Sequence, residues 1–269
     1  MEGVLRDALL HGREIMGTAL SVHIETMRYP ESEDSENLIE DLHLEVPTDT
    51  VVSLLGRSGV GKTTLLRIIA GFEHHFKGQI AINGNLVKKP SRGVQMVFQD
   101  YRLLPWKSVY ENIEFATSRK DTQADCQQVE KWLKIVKLGE KRNEWPKNLS
   151  GGETGRVAFA RAFVSSPTIL LLDEPFSNLD MIAKFSLQNE LQEYLRIHKT
   201  TVILVSHSIE DVVFLSDVIH VLSDHRMKIA KTFNVEVSRP RHRDDPLLNK
   251  VHREIIAYLL ASRSGEVWS

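Results

Sequence analysis

A glycine-rich loop between a predicted strand and a predicted helix constrains this chain more than any other feature. Residues 56–64 fit the pattern G-x-x-x-x-G-K-[ST], and apolar runs stand at 51–55 before the loop and at 65–70 after it. Glycines let the backbone turn tightly and bring its N–H groups close to phosphate oxygens. The helix N-terminus behind the loop adds partial positive charge. We therefore predict a nucleoside triphosphate site, formed by Gly56, Arg57, Ser58, Gly59, Val60, Gly61, Lys62, Thr63 and Thr64.

Three side chains of this loop have separate expected roles. Lys62 is expected to reach the terminal phosphates, Thr63 to offer its hydroxyl to Mg²⁺, and Thr64 to bond a phosphate oxygen nearer the base. The predicted cofactors are therefore ATP and Mg²⁺.

The composition excludes several classes of protein. The chain has 269 residues, of which 42% are hydrophobic and 26% charged, as in ordinary soluble globular proteins. A net charge of −2 gives no basic field, so we expect no nucleic-acid partner. The single cysteine, Cys126, excludes an intrachain disulfide framework, fits a reducing compartment and is expected to be an inert thiol.

No apolar run approaches the ~20 residues that span a bilayer. The first ten residues contain acids and lack a long apolar stretch, so they do not resemble a secretory signal. Residues 1–18 are predicted to be a loosely attached extension containing a short helix. Contact with a membrane is therefore expected to come through a partner.

The first part of the chain is predicted to be rich in strands. Residues 19–28 alternate between apolar and polar, which is typical of a half-buried strand, and the acidic segment 31–37 is predicted to be an exposed loop. A hairpin strand is predicted at 79–84 and a further strand at 94–99.

In the middle of the chain the spacing of apolar residues becomes that of helices. Between 108 and 147 apolar residues recur at spacings of three and four, which predicts a helical subdomain at about 103–165. The short apolar runs at 169–172 and 202–205 do not alternate, as expected of central parallel strands, and 182–197 fits an amphipathic helix between them.

The C-terminal part is predicted to contain one more strand and a helix. Residues 218–222 are expected to form the last strand of the core. Residues 236–246 contain two prolines and several charges and are predicted to be a linker, followed by a helix at 247–260.

Two acids follow the predicted strand at 169–172. A buried strand that ends in Asp173 and Glu174 delivers two carboxylates to the edge of the sheet where the phosphate loop also lies. Asp173 is expected to hold Mg²⁺ through water, and Glu174 to act as general base on the attacking water. Seen alone, such acids are more often solvated strand ends, but a neighbouring phosphate loop favours the functional interpretation.

A second anion site is predicted where Ser150, Gly151 and Gly152 open a helix. Together with the phosphate loop and the acid pair, this segment makes the chain similar to the ATPase subunit of an ABC transporter, over about residues 20–225. The resemblance implies ATP hydrolysis by an α/β P-loop NTPase fold. It implies a mainly parallel central sheet, an antiparallel β subdomain and an inserted helical subdomain, all within residues 19–235, with 236–269 as a C-terminal linker and helix.

The resemblance assigns further residues. Gln99 matches the glutamine that contacts Mg²⁺ and water, and His207 matches the switch histidine that bonds the γ-phosphate and orients water and glutamate. Asp180 matches the acid of the loop that meets the partner ATPase. Tyr29 is expected to stack on adenine, although packing of this tyrosine on the core is the competing interpretation.

The family also implies an assembly. Ser150 and Gly152 of one copy bind the nucleotide held by Lys62 of the other, so the active state is expected to be a head-to-tail homodimer. The loop after Gln99 is expected to contact the membrane subunit. Its apolar residues 103–106 either dock there or pack under the helical subdomain, and the sequence favours neither.

Three short segments, at 56–59, 103–106 and 173–176, resemble importer ATPases of the nitrate, sulfonate and taurine group. This branch implies two permease subunits and an external solute-binding protein. The ATPase would lie at the cytoplasmic face of the cell membrane, and its sequence does not name the solute.

Some positions depart from the family pattern. Glu153 and Gly155 stand where glutamines are usual, Ser208 follows the switch histidine where an acid is frequent, and 47–49 lacks the usual glycine. An acid at position 153 should be unfavourable beside a phosphate unless it points to solvent or meets a cation.

Other classes of function fit less well. A non-transport ABC ATPase usually has tandem cassettes, coiled-coil insertions or basic patches, and this chain shows none of these. The ATPase subunit of an exporter is an alternative that the sequence does not exclude. A phosphotransferase that uses only the phosphate loop leaves 150–152 and His207 without a role. A module that binds ATP without cleaving it is disfavoured by Glu174 and His207.

Overall fold

Two β-sheets form the framework of the protein in the computed structural model, which describes residues 17–28, 37–117, 123–223 and 226–263. The strands in these residues are β1 (Thr18–Met27), β2 (Ile39–Pro47), β3 (Val51–Leu55), β4 (Phe76–Ile82), β5 (Asn85–Leu86), β6 (Val94–Val97), β7 (Ile169–Asp173), β8 (Thr201–Ser206), β9 (Val218–Leu222) and β10 (Ile229–Asn234).

The smaller sheet is antiparallel, with the strand order β2-β1-β4-β5. Along β1, Leu20, Val22 and Ile24 are buried, whereas His23 between them is partly exposed. This alternation confirms the half-buried strand predicted at 19–28, because successive side chains of a strand point to opposite faces.

The larger sheet has the order β10-β9-β3-β8-β7-β6, and its strands are parallel except for β10, which is antiparallel to β9. Every residue of β3, β7 and β8 is buried, as predicted for central parallel strands. Because these strands are parallel, their carboxyl ends lie at one edge of the sheet. The phosphate loop follows β3 there, and Asp173 ends β7 there.

Helices occupy much of the remaining described chain, together with two short 3-10 helices at Gly139–Lys141 and Pro146–Asn148. The helices are α1 (Lys62–Ile69), α2 (Val109–Glu114), α3 (Gln123–Ile135), α4 (Gly151–Phe163), α5 (Met181–Ile197), α6 (Ile209–Leu215) and α7 (Pro246–Arg263).

Alternate residues of β7 belong to two different hydrophobic cores. Leu170 and Leu172 pack in the core that contains residues of α4, α5 and α6. Ile169 and Leu171 pack in the core that contains residues of α1 and of the antiparallel sheet. This arrangement explains why the strand reads as a continuous apolar run, and it supports the predicted α/β fold with a mainly parallel sheet.

The C-terminal part corrects the sequence interpretation. The strand at 218–222 is not the last of the sheet, because β10 follows it and pairs with it. The predicted linker is also bound to the domain: Arg239 Nη1 and Arg241 Nη2 lie 2.9 and 3.0 Å from Oδ1 of Asp217. The predicted terminal helix at 247–260 lies within α7.

Some predictions fall outside the described residues. These are the helix proposed within 1–18, most of the acidic loop at 31–37, and the adenine-stacking role of Tyr29. The domain limits 19–235 and about 103–165 stay predictions, although α2, α3 and α4 lie in the second range.

Candidate active site

The phosphate loop depends on glycine at position 61. Gly59 and Gly61 have φ angles of 88° and 102°, in the left-handed region that glycine adopts without strain. A Cβ on Gly61 would lie 2.6 Å from Cε of Met227 and 2.9 Å from Cγ of Leu38. The loop therefore passes closely between these side chains immediately before α1 begins at Lys62.

The ammonium group of Lys62 is held against the loop that precedes it. Its Nζ donates hydrogen bonds to the backbone oxygens of Gly56 and Arg57, both at 2.7 Å, and lies 3.9 Å from Oε1 of Glu174. Burial lowers the pKa of Lys62, and the carboxylates of Glu174 and Asp173 oppose this effect. A lysine so placed can exchange its carbonyl partners for phosphate oxygens.

Thr63 and Asp173 supply two oxygens suited to Mg²⁺. Thr63 Oγ1 donates a hydrogen bond of 2.9 Å to Oδ1 of Asp173. Burial raises the pKa of Asp173, the Thr63 hydrogen bond opposes this rise, and the Glu174 charge adds to it. A divalent cation would favour the ionised carboxylate, so the two groups fit the predicted metal site.

Glu174 is turned towards His207. It has a φ of 45°, and its backbone N–H donates a 3.0 Å hydrogen bond to the Val205 oxygen of the neighbouring strand. Its Oε2 lies 2.8 Å from Nδ1 of His207. The glutamate side chain is 14% exposed and that of the histidine 53%, so the pair connects the site to the surface. This is the contact expected between a general base and the histidine that orients it.

A cavity of about 420 Å³ lies over the phosphate loop. Residues of the loop line it together with Leu38, Gln99 and Glu174. Gln99 is exposed two residues after β6, and its backbone oxygen accepts a 3.2 Å hydrogen bond from Nδ2 of Asn178. The structure thus brings Gln99 and Glu174 to one cavity, and His207 reaches it through Glu174.

The second predicted anion site lies apart from this cavity. Ser150, Gly151 and Gly152 are not among the described residues that line it. Ser150 Oγ caps α4 by accepting from the N–H of Glu153 at 3.3 Å, and the Glu153 carboxylate accepts from the N–H of Ser150 at 2.9 Å. The helix start is therefore ordered by a reciprocal capping box.

The departure at Glu153 is compensated by a cation. Lys141 Nζ lies 2.6 Å from Oε1 of Glu153. This contact, followed by the Ser150 hydrogen bonds, lowers the pKa of Glu153. The added acid thus meets a cation, one of the two conditions under which it was expected to be tolerated.

The other departures also have local reasons. A Cβ on Gly155 would lie 3.0 Å from both Oη of Tyr101 and Cδ2 of Leu187, so a larger residue would require these neighbours to move. Ser208 caps α6 by accepting from the N–H of Asp211 at 3.3 Å. A short polar side chain at position 208 therefore stabilises the helix directly after His207.

Asp180 and the loop after Gln99 have structural contacts of their own. Asp180 Oδ1 caps α5 by accepting from the N–H of Ala183 at 3.0 Å, and Asp180 is exposed. In the apolar segment, Leu103 packs against the core whereas the Trp106 side chain is 67% exposed. Packing therefore accounts for Leu103, whereas docking of the exposed Trp106 on a membrane subunit stays a prediction.

Comparison with known proteins identifies the family. A profile of the family described as ABC transporter matches residues 39–177. The aliphatic sulfonates import ATP-binding protein SsuB of Bacillus cereus (strain ZK / E33L) is 36% identical over 219 residues, which are 81% of this chain and 87% of the relative. This chain belongs to the ABC transporter family. It is an ATP hydrolase of the ABC type, and the family resemblance predicted from its motifs is confirmed.

Further relatives extend the likeness along the chain. The aliphatic sulfonates import ATP-binding protein SsuB 1 of Xanthomonas axonopodis pv. citri (strain 306) is 36% identical over 247 residues, which are 90% of this chain and 96% of the relative. The Bacillus subtilis (strain 168) protein SsuB, of the same description, is 34% identical over 239 residues, 89% of this chain and 93% of the relative.

Two solved structures are similar in fold. One is the dimeric post-hydrolysis state of the ATP-binding cassette MJ0796 bound to ADP and Pi, with a TM-score of 0.71, 25% identity and coverage of 81% of this chain and 99% of that chain. The other is cbiO1 from Clostridium perfringens, part of the ABC transporter complex cbiONQ, with a TM-score of 0.72, 24% identity and coverage of 81% and 89%. They confirm the predicted fold class.

Sequence reasoning missed two residues of the site. Leu38 lines the phosphate cavity from the position before β2, where its side chain lies beside Gly61. Lys141 neutralises Glu153 from a 3-10 helix that precedes α4. Neither residue belongs to a local motif, and the only available signal for Lys141 was that the acid at position 153 needed a cation.

In the described part of the chain, no helix is both long and apolar enough to cross a bilayer.

Proposed function

We propose that this chain is the ATP-hydrolysing subunit of an importer for aliphatic sulfonates. The observation that carries the proposal is its 36% identity, over 90% of its length, to a relative that is named for sulfonate import. The chain would act at the cytoplasmic face of the cell membrane with two permease subunits and, indirectly, a solute-binding protein. The relatives' names favour sulfonates over nitrate within the predicted group.

The chain's own residues supply the parts that ATP hydrolysis requires. Lys62 binds the terminal phosphates, and Thr63, Asp173 and Gln99 would hold a magnesium ion that neutralises phosphate charge. Glu174 accepts a proton from the attacking water as general base. His207 orients that carboxylate through the 2.8 Å contact with Nδ1.

We further propose that the active unit is a head-to-tail homodimer. Ser150, Gly151 and Gly152 lie apart from the chain's own phosphate cavity, which supports a role on the nucleotide of the other copy. The capping box leaves the following N–H groups of α4 in position to meet phosphate oxygens. Asp180, exposed at the start of α5, would contact the partner copy.

ATP-driven closure of this dimer would transmit movement to the permease. The exposed Trp106 lies on the loop after Gln99, which is itself at the phosphate cavity. A conformational change that loss of the γ-phosphate causes at Gln99 can therefore reach the exposed Trp106 through a short stretch of chain. Hydrolysis and product release would reopen the dimer.

The solute is tested by reconstitution of the complex that co-purifies with the chain from its source membranes. We expect two hydrophobic permease subunits to co-purify, and ATP hydrolysis in vesicles to rise with a solute-binding protein loaded with ethanesulfonate. The same complex carrying Lys62→Ala is the control and should not respond. Stimulation by nitrate and not by ethanesulfonate would contradict the sulfonate assignment, and absence of permease subunits would contradict a transport role.

A further inference from the structure

The outer face of the antiparallel sheet brings two histidines and an aspartate together. His23 on β1 is paired directly with His43 on β2, and their rings are stacked with centroids 4.2 Å apart and planes inclined by 21°. Asp41 has a left-handed backbone conformation, with a φ of 53°, and its carboxylate meets the His43 ring on the same face. One ligand atom from each of the three side chains lies within 4.8 Å of the others.

The spacing of one pair of these atoms fits a tetrahedral metal ion. Two ligand atoms bound to zinc at about 2.0–2.1 Å in tetrahedral geometry lie about 3.3 Å apart. Oδ1 of Asp41 and Nε2 of His43 are 3.2 Å apart. All three ligand atoms lie within 4.8 Å of one another, and a bound zinc ion would require the stacked imidazole rings to rotate so that a nitrogen of each faces the ion.

The chemistry of the group selects the metal. Two imidazole nitrogens and one carboxylate oxygen are typical zinc ligands, whereas magnesium prefers oxygen ligands alone. Asp41 and His43 are exposed, with side chains 70% and 63% accessible, so a metal ion can enter and keep water as its fourth ligand. Thr63 and Asp173, which suit magnesium, lie elsewhere in the fold, at the end of the larger sheet.

We infer that His23, Asp41 and His43 form a zinc site that links β1 to β2. In the sequence, β1 and β2 lie on either side of the segment that ends at Leu38. The N–H of Leu38 donates a 2.8 Å hydrogen bond to the Met27 oxygen, and Leu38 lines the phosphate cavity. Zinc would tie together the strands on both sides of this segment. The site would stabilise the sheet, and it takes no part in the hydrolysis of ATP.

The test is calorimetric titration of the full chain, free of any affinity tag and of nucleotide, with ZnCl₂. The experiment uses a Cys126→Ser background, because Cys126 is an exposed free cysteine and cysteine thiolates are zinc ligands. We expect one zinc ion per chain, and at least tenfold weaker binding after His23→Gln or His43→Gln. Asp41→Asn should weaken binding by a smaller factor.

The matched control is His74→Gln with His75→Gln, which alters two exposed histidines elsewhere on the surface. This double variant should bind zinc like the parent. Because His23 and His43 lie on the outer face, their variants should keep the parent's circular dichroism and ATP hydrolysis. Zinc binding that persists in a folded His23→Gln, His43→Gln double variant, or that the control substitutions abolish, would overturn the proposal.

Discussion

Two neighbouring carboxylates at the end of β7 have different environments, which suit the different roles proposed for them. Asp173 is buried beside Thr63, and burial raises its pKa until a cation is bound. Glu174 adopts a left-handed backbone conformation, with a φ of 45°, and its carboxylate meets His207. These two residues, adjacent in sequence, thus lie in environments that suit the metal ligand and the general base proposed for them.

The contact between Lys141 and Glu153 predicts a measurable effect on ATP binding. Lys141→Gln leaves the acid at the start of α4 without its cation, where it would repel the phosphate of the partner's nucleotide. The lysine is 43% exposed, so we expect only about a two- to fivefold rise in KM for ATP. Steady-state ATPase kinetics measure this change.

The control for this prediction is Lys147→Gln, which alters an exposed lysine in the same region and should leave KM unchanged. Adding Glu153→Gln to Lys141→Gln should restore the parent KM, because the acid is then absent. An unchanged KM in the single variant, or a defect that the second substitution does not relieve, would show that the pair does not act on the nucleotide.

At the scale of the elements, the segment between β10 and α7 is part of the domain. Arg241 is buried, and its guanidinium donates to the Ser216 oxygen at 2.7 Å, to the Val237 oxygen at 2.8 Å and to Oδ1 of Asp217 at 3.0 Å. Burial is the main cause that lowers the pKa of Arg241 to about 10, and the charge of Arg239 adds to it. The guanidinium therefore remains charged at neutral pH and secures the chain before α7.

Substitution of this arginine should destabilise the whole domain. Arg241→Met leaves the Ser216 and Val237 oxygens and part of the Asp217 carboxylate without a donor, at a cost of about 3 kcal/mol in the free energy of unfolding. Urea denaturation measures the loss. Lys250→Met is the control, because Lys250 is 67% exposed and its pair with Glu254 should contribute less than about 0.5 kcal/mol. Equal stability of the two variants would refute the anchoring role.

These elements also explain what the sequence can predict. The strands β7 and β8 were predicted because burial on both faces leaves continuous apolar runs. The edge strand β10 was missed because its residues are half exposed and it has one neighbour, so its pattern is weak. The phosphate loop, Asp173 and Glu174 follow from local motifs, whereas the partner of Glu153 depends on how two separate segments pack.

At the scale of the whole molecule, the phosphate loop and the anion site proposed at 150–152 do not line one cavity. The phosphate loop opens on a cavity of about 420 Å³, and the capped start of α4 is not part of its lining among the described residues. Residues 150–152 therefore do not line the phosphate cavity of their own chain. A second copy, arranged head to tail, would bring residues 150–152 of each copy to the phosphates held by the other.

The most direct test is the molecular mass of Glu174→Gln in solution with ATP and Mg²⁺, measured by light scattering. Without its general base the variant should hold ATP uncleaved and accumulate as a dimer of twice the 30.6 kDa chain mass. It should be a monomer with ADP, and Ser150→Arg in the same variant should prevent dimerisation. A mass of one chain at saturating ATP, or a dimer unaffected by Ser150→Arg, would contradict the head-to-tail arrangement.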